Sequence, residues 1–168
     1  ATGTGENTIF GKDAGASLDA NSDGNTFIGA LVADGSLNGA DYNVGIGYNS
    51  LGGLTTGDYN VAIGNQPMLT ATANEGNIAI GHDALGDIAV GEEYNVAIGH
   101  AAMSKVDEGT NSGAGTHSAD GNVAIGYNAL YGGDLGDVSD STSRALLGNV
   151  AIGYEALDAT GANAQTGT

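Results

Sequence analysis

The chain has 168 residues, of which 31 are Gly, one is Pro and none is Cys or Trp, and 20 Asp or Glu outweigh three Lys or Arg to give a formal charge of −17. Such a surface lacks the cations that neutralise phosphates, so nucleic acid is excluded as a partner. The absence of Cys excludes disulfides and thiolate metal sites, and no apolar run approaches the ~18 residues of a membrane-crossing helix. Solubility in salt, bound cations and an extracellular setting all fit the acidity, which does not choose among them.

Residues 1–6 form a polar, Gly/Thr-rich lead-in with no signal-peptide n-region or h-region, as in a processed chain or an excised fragment. From there one short string recurs. Its copies begin at Asn7, Asn25, Asn43, Asn60, Asn77, Asn95, Asn122 and Asn149, at spacings of 18, 18, 17, 17, 18, 27 and 27 residues. A fixed period of this size marks a repeat architecture. In every copy the first residue is Asn and the fifth is Gly, including the pairs Asn60/Gly64, Asn77/Gly81, Asn95/Gly99, Asn122/Gly126 and Asn149/Gly153, and both columns are expected to act as structural ladders. The Gly suits a corner with positive φ or with backbone too close for a Cβ. The Asn can bond its own turn and, in stacked copies, the next Asn amide.

Between Asn and Gly the bulk sits at the second and fourth positions, as in Val61/Ile63, Val96/Ile98 and Val123/Ile125, around a small residue such as Ala62 or Ala97. That alternation predicts a strand with the β-branched pair on one face and a nearly bare backbone on the other. The small residue is expected to face outward, so Ile9 and Phe27, which occupy its place in the first two copies, would need an outer cover. Beyond each Gly a second apolar group follows (Leu51, Leu85, Met103, Leu130), and a third falls at Leu18, Leu37, Leu54, Ile88 and Val106. Each repeat is thus expected to supply two short strands and two turns, with Asp87–Gly91 as the return strand of the fifth.

One such repeat cannot bury its pattern alone, whereas parallel stacking buries it and satisfies the backbone ladder. The prediction is an all-β parallel β-solenoid (β-roll) of about eight coils, a single domain over residues 1–168, forming a rod of ~38 Å at ~4.8 Å per strand. Two insertions, 104–121 and 131–148, lengthen the sixth and seventh repeats and read as loops on one face, with Leu146 and Leu147 folding back over the core. Residues 158–168 are a polar tail. Neither end shows a cap, and tail plus lead-in would give a 26-residue interval between copies joined end to end, close to the 27 of the preceding repeats. End-to-end stacking is the expectation.

The string Asn122-Val123-Ala124-Ile125-Gly126-Tyr127-Asn128-Ala129-Leu130 resembles the head repeats of trimeric autotransporter adhesins, and similar strings occur in tail-fibre and other structural proteins of phages. The likeness covers residues 7–157. It implies a left-handed parallel β-roll, commonly trimeric, that holds an adhesive or receptor-binding surface away from a cell or virion, and it supplies no catalytic residues.

Tyr48, Asn65, His82, His100, Tyr127 and Tyr154 form a column just past the corner Gly. Amphipathic rings in a row can bind a glycan or receptor, or can stack as a stiffening ladder. His82 and His100 together are an incomplete metal site. Asp134, Asp137 and Asp140 offer carboxylates for Ca²⁺ in a loop that otherwise reads as solvated. No nucleophile has a plausible base and a slim rod rarely offers a concave site, so the chain reads as non-enzymatic and without an obligatory cofactor. A Thr column suited to ice starts at Thr8 and Thr26 and ends at Val44. The expected role is a structural segment of an extracellular or virion-surface fibre whose partner is itself, end to end or as a homotrimer; the alternative is an adhesive head that holds a surface glycan or receptor.

Overall fold

The computed structural model describes residues 5–88, 91–106, 118–132 and 145–158. Each repeat contributes one strand to a single parallel sheet: β1 (Thr8–Phe10), β2 (Thr26–Ala30), β3 (Val44–Tyr48), β4 (Val61–Asn65), β5 (Ile78–Ile80), β6 (Val96–Ile98), β8 (Val123–Ile125) and β10 (Val150–Ile152), hydrogen-bonded in that order. Two further strands, β7 (Ser118–Asp120) and β9 (Ala145–Leu147), pair parallel with each other. Among the described residues there is no helix. The chain is an all-β parallel β-solenoid.

Register follows the repeat without slippage. Val61 pairs with Ile78, Ala62 with Ala79 and Ile63 with Ile80, and β6 meets β8 in the same phase although 27 residues separate Asn95 from Asn122. The insertion therefore leaves the sheet untouched, because a one-residue slip would turn every side chain to the wrong face.

Two expectations about the strands are corrected. The small middle residue faces inward: Ala62, Ala79, Ala97, Ala124 and Ala151 are buried, as is Phe27, and Ile9 packs partly buried against the core. The β-branched pair faces outward, so Ile9 and Phe27 need no outer cover; they fill core volume where the turns leave room. Second, among the described residues the short repeats show no return strand; of the expected Asp87–Gly91 strand, Asp87, Ile88 and Gly91 are not in a strand and residues 89–90 lie outside the described residues, while the two long repeats contribute β7 and β9. The return path is made of tight turns whose apolar residues, among them Leu51, Leu54, Met68, Leu85, Met103 and Leu130, form the rest of the core. Of the expected Leu pair, Leu146 is buried and Leu147 is exposed.

The Asn column is a continuous ladder, buried from Asn25 through Asn43, Asn60, Asn77 and Asn95 to Asn122. Asn95 donates its backbone N–H (2.9 Å) and Nδ2 (3.1 Å) to Asn77 Oδ1, and its own Oδ1 accepts the same pair from Asn122 at 2.9 and 3.0 Å. The second Nδ2 hydrogen goes to a carbonyl near the end of the same repeat, Ala119 in β7, at 2.6 Å. One amide thus closes its own turn and locks two layers, which is why no other side chain fills this column.

The corner Gly serves both reasons given for it. Gly64 has φ +143°, and a Cβ there would collide with the Gly81 carbonyl oxygen of the next layer. Gly99, at φ +135°, meets the Gly126 carbonyl oxygen in the same way. As a ladder, the Gly column differs from the Asn column on two points. It is not sealed in the core: Gly64, Gly81, Gly99 and Gly126 are half-buried and Gly153 is exposed, whereas Asn95 is fully buried. Nor does it lie in the strands throughout. Gly64 is inside β4, while Gly81, Gly99, Gly126 and Gly153 fall one residue beyond the ends of β5, β6, β8 and β10. The physical reason is that a residue without a side chain can bond only through its backbone. That bond persists past the strand ends: the Gly81, Gly99 and Gly126 N–H groups donate to the Ile63, Ile80 and Ile98 carbonyls at 2.9, 2.8 and 2.8 Å.

Two positions after each corner the backbone is left-handed at Asp13, Leu31, Asn49, Gln66, Asp83, Ala101, Asn128 and Glu155, and two residues later it is again left-handed at Leu51, Met68, Leu85, Met103 and Leu130. For L-residues this conformation costs about 1–2 kcal/mol each. Full burial of the Leu and Met side chains, about 1.5–3 kcal/mol apiece, offsets it.

Candidate functional site: an uncharged outward face

Alternation along each strand puts four columns on the outer side of the sheet: the residue before each Asn, the two β-branched positions, and the residue after the corner Gly. The two central columns run from Thr8, Thr26, Val44 and Val61 to Val150, and from Phe10, Ile28, Ile46 and Ile63 to Ile152. Neither holds a charged residue, in a chain with 20 carboxylates. Their side chains are half-buried or exposed, and Phe10 (75%), Val150 (62%) and Ile152 (66%) are the most open. With eight strands at ~4.8 Å and the four columns spanning six residues at ~3.3 Å, the outer side including its flanking columns measures ~34 by ~20 Å, or ~700 Å².

Aromatic rings border this face on both sides. Before the Asn, Tyr42 and Tyr59 stack at 5.3 Å and 8°. Tyr94 lies over Gly76, where a Cβ would come 2.6 Å from its ring, and its hydroxyl donates to Glu75 (3.3 Å). The nearby Glu75 charge, then that hydrogen bond, holds the Tyr94 phenol above the usual tyrosine range. After the corner, His82, His100, Tyr127 and Tyr154 form one stack, with centroids 4.9, 5.1 and 5.2 Å apart and planes within 19°. These rings cover one another's faces, so the stack presents mainly edges to solvent; Tyr48 belongs to the same column, and among the described residues no ring stacks on it. A hydrogen bond to Glu155 raises the Tyr154 phenol.

Outside the aromatic borders lie the acids. Asp41 Oδ1 accepts the Asp23 N–H and Asp58 Oδ1 accepts the Asp41 N–H, both at 2.7 Å, and Asp120 Oδ1 accepts from Glu93 (3.0 Å). Asp23 Oδ1 accepts from Glu6 in the same way. This second ladder runs opposite to the Asn ladder, each carboxylate reaching back to the preceding layer, and it explains why like charges stack in one column. In a neighbouring turn Asp19 accepts from Ser22 Oγ (2.6 Å), which holds its carboxyl below the usual range.

The His82 and His100 rings are nearly parallel, so their nitrogens point alongside each other and do not converge on one ion. Among the described residues no three His, Cys, Asp or Glu side chains are grouped to hold a metal. Asp134, Asp137 and Asp140 lie outside the described residues. No family model matches the chain, and no curated protein or solved structure matches it.

Sequence reasoning placed the Tyr/His column and the Asn and Gly columns but missed the outward face, the Tyr42/Tyr59/Tyr94 border and the acid ladder. Phe27 in the middle position gives no clear signal for the first, because Phe10, the same residue, occupies the fourth position of the first copy and faces outward.

Proposed function

We propose that the chain is a non-enzymatic structural segment of an extracellular or virion-surface fibre, in which copies of the chain lie side by side and cover one another's Val/Ile face. The observation that carries this reading is the uncharged outward sheet on an otherwise strongly acidic rod. Contiguous apolar patches of several hundred Å² mark interaction sites, and the two central columns together with their aromatic borders span ~700 Å², near the ~800 Å² per partner of a standard protein interface. The flanking acid ladders supply the limit on growth: copies can meet through their faces, while charged margins repel further lateral bundling. The resemblance to adhesin head repeats and phage fibre strings is consistent with this role.

The test is sedimentation equilibrium of the chain over a range of micromolar concentrations, beside a Val96→Asp/Ile98→Asp variant. The wild type is expected to associate and the variant to remain a folded monomer. Identical masses for the two would sink the reading. An adhesive role, the alternative, is favoured by Tyr48, whose ring is exposed without a stacked neighbour among the described residues; a glycan array on wild type and Tyr48→Ala tests it.

A further inference from the structure

We propose that the interval between Tyr59 and Tyr94 is a binding slot for an arginine side chain of a partner protein. This goes beyond the fibre reading and does not depend on the Val/Ile face being covered. The residues that precede the Asn column form successive rungs, among them Tyr42, Tyr59, Gly76 and Tyr94. Each donates its N–H to the layer before: Tyr59 to the Asp41 carbonyl, Gly76 to Asp58 and Tyr94 to Glu75, all at 3.0 Å. The backbone is left-handed at all four, with φ from +56° to +67°. Gly takes this conformation without steric penalty and Tyr does not. The rings of Tyr42, Tyr59 and Tyr94 are 53–58% exposed, so burial does not offset the strain as it does at Leu51 and Met68. Strain that packing does not offset points to a functional position.

Tyr42 and Tyr59 are one layer apart and stack at 5.3 Å. Tyr59 and Tyr94 are two layers apart, ~10 Å, and Gly76 brings no side chain to the rung between them. The interval is therefore as wide as one further ring of the stack. Tyr94 leans toward it as Tyr42 leans over Gly24, since a Cβ would come 2.6 Å from the first ring and 2.5 Å from the second. In the border beyond the corner, the corresponding rung between Tyr48 and His82 carries the side chain of Asn65. On the strand side of the slot stands Ile78, which is 36% exposed. On the other side runs the acid column, Asp58, Glu75 and Glu93. At this rung the acid turns to the rings: Glu75 accepts the Tyr94 hydroxyl at 3.3 Å. A positive charge midway in the slot would lie ~5 Å from each ring, inside the ~6 Å reach of cation–π attraction. Guanidinium is the cation that fits, because it is flat, stays charged, stacks on rings and donates to carboxylates, whereas an ammonium is compact and strongly hydrated. The methylene stem of an arginine has Ile78 to lie along. So open a slot buries too little of a free small molecule to retain it; a side chain carried by a partner protein brings further contacts with it.

The probe is arginine capped at both ends, N-acetyl-arginine N-methylamide, titrated into the dilute full chain and followed through the tyrosine ring signals by NMR. Its lysine and citrulline counterparts test charge without planarity and planarity without charge. The slot predicts saturable shifts at Tyr59 and Tyr94 that exceed those at Tyr48 and Tyr127, with Overhauser contacts from the arginine Cδ protons to both slot rings. Tyr59→Leu and Tyr94→Leu, checked for folding by circular dichroism, should each weaken binding about two- to fivefold, the equivalent of the ~0.5–1 kcal/mol of one exposed cation–π contact. Glu75→Gln should weaken it while leaving both rings in place. Equal binding of the lysine or citrulline probe, or shifts spread evenly over all the tyrosines, would overturn the slot, as would undiminished binding by both folded Leu variants. Tighter binding of free arginine than of the capped residue would overturn the protein-borne occupant. Each outcome is read on dilute chain, so association through the Val/Ile face stands or falls separately by sedimentation.

Discussion

Replacing Asn95 by Ala removes a side chain that makes one bond to the preceding layer, two to the next and one to the Ala119 carbonyl in β7. The Nδ2 hydrogens lose Asn77 Oδ1 and the Ala119 carbonyl, and the lost Oδ1 leaves the Asn122 N–H and Nδ2 without their acceptor. A typical bond of this kind contributes ~1 kcal/mol net, and a buried polar group left without a partner costs ~1–3 kcal/mol. Asn122 N–H and the Ala119 carbonyl are stranded in a buried column, so the expected loss is ~3–6 kcal/mol. Asn149→Ala makes the contrast: that side chain is only part-buried, its bonds go to Asn122 Oδ1 (3.0 Å) and more weakly to the Leu147 carbonyl (3.4 Å), and the loss should be ~1 kcal/mol. Urea unfolding followed by circular dichroism reads both. Equal losses at the two sites would refute the ladder argument, because among the described residues Asn95 has an Asn partner on each side and Asn149 on one.

Gly64→Ala meets both a φ of +143° and the Gly81 backbone, and should cost more than ~3 kcal/mol, whereas Gly39→Ala, with φ +78° and nothing within 4 Å of its Cβ, should cost ~1 kcal/mol; thermal melts of the two variants check the order. Gln66 is left-handed at φ +58°, so Gln66→Asn, a residue that tolerates this region, should raise stability by ~0.5–1 kcal/mol in the same assay. Glu75→Gln should lower the Tyr94 ionisation midpoint toward ordinary tyrosine, read by ultraviolet absorbance as the pH is raised. The sign follows from a phenol whose folded pKa is raised: its contribution is complete below the ordinary tyrosine pKa and is lost as pH rises through the folded value. No change in midpoint would mean that Glu75 does not act on the ring.

The repeat made the fold legible. Invariant Asn and Gly columns suggest physical jobs from the sequence alone, and in the structure Asn95 bonds the Asn amides on either side while a Cβ on Gly64 would meet the Gly81 carbonyl. The facing of the strands was not legible, because a β-branched pair around Ala reads equally well in either direction when both sides meet apolar material. Hydrophobicity pointed Val and Ile inward, and the turns defeated it by filling the core with Leu51, Leu85 and Met103, which leaves space only for Ala beneath the sheet. The turns that take the place of a return strand in the described short repeats were hidden for a related reason: left-handed residues such as Leu51 and Met68 break strand geometry, and nothing in a Leu or Met announces positive φ. The acid ladder was hidden by composition, since in a chain so rich in carboxylates a column of Asp at 23, 41 and 58 looks like solvated turns until each is seen to accept an N–H from the layer before.

Methyl NMR with a soluble paramagnetic probe asks most plainly whether other copies of the chain cover the Val/Ile face. In dilute, dissociated chain the outward Ile46, Ile63 and Ile98 methyls should relax strongly while the core Ile88 methyl is shielded, and at associating concentrations the outward methyls should become shielded as well. Outward methyls that stay accessible at every concentration would contradict a covered face.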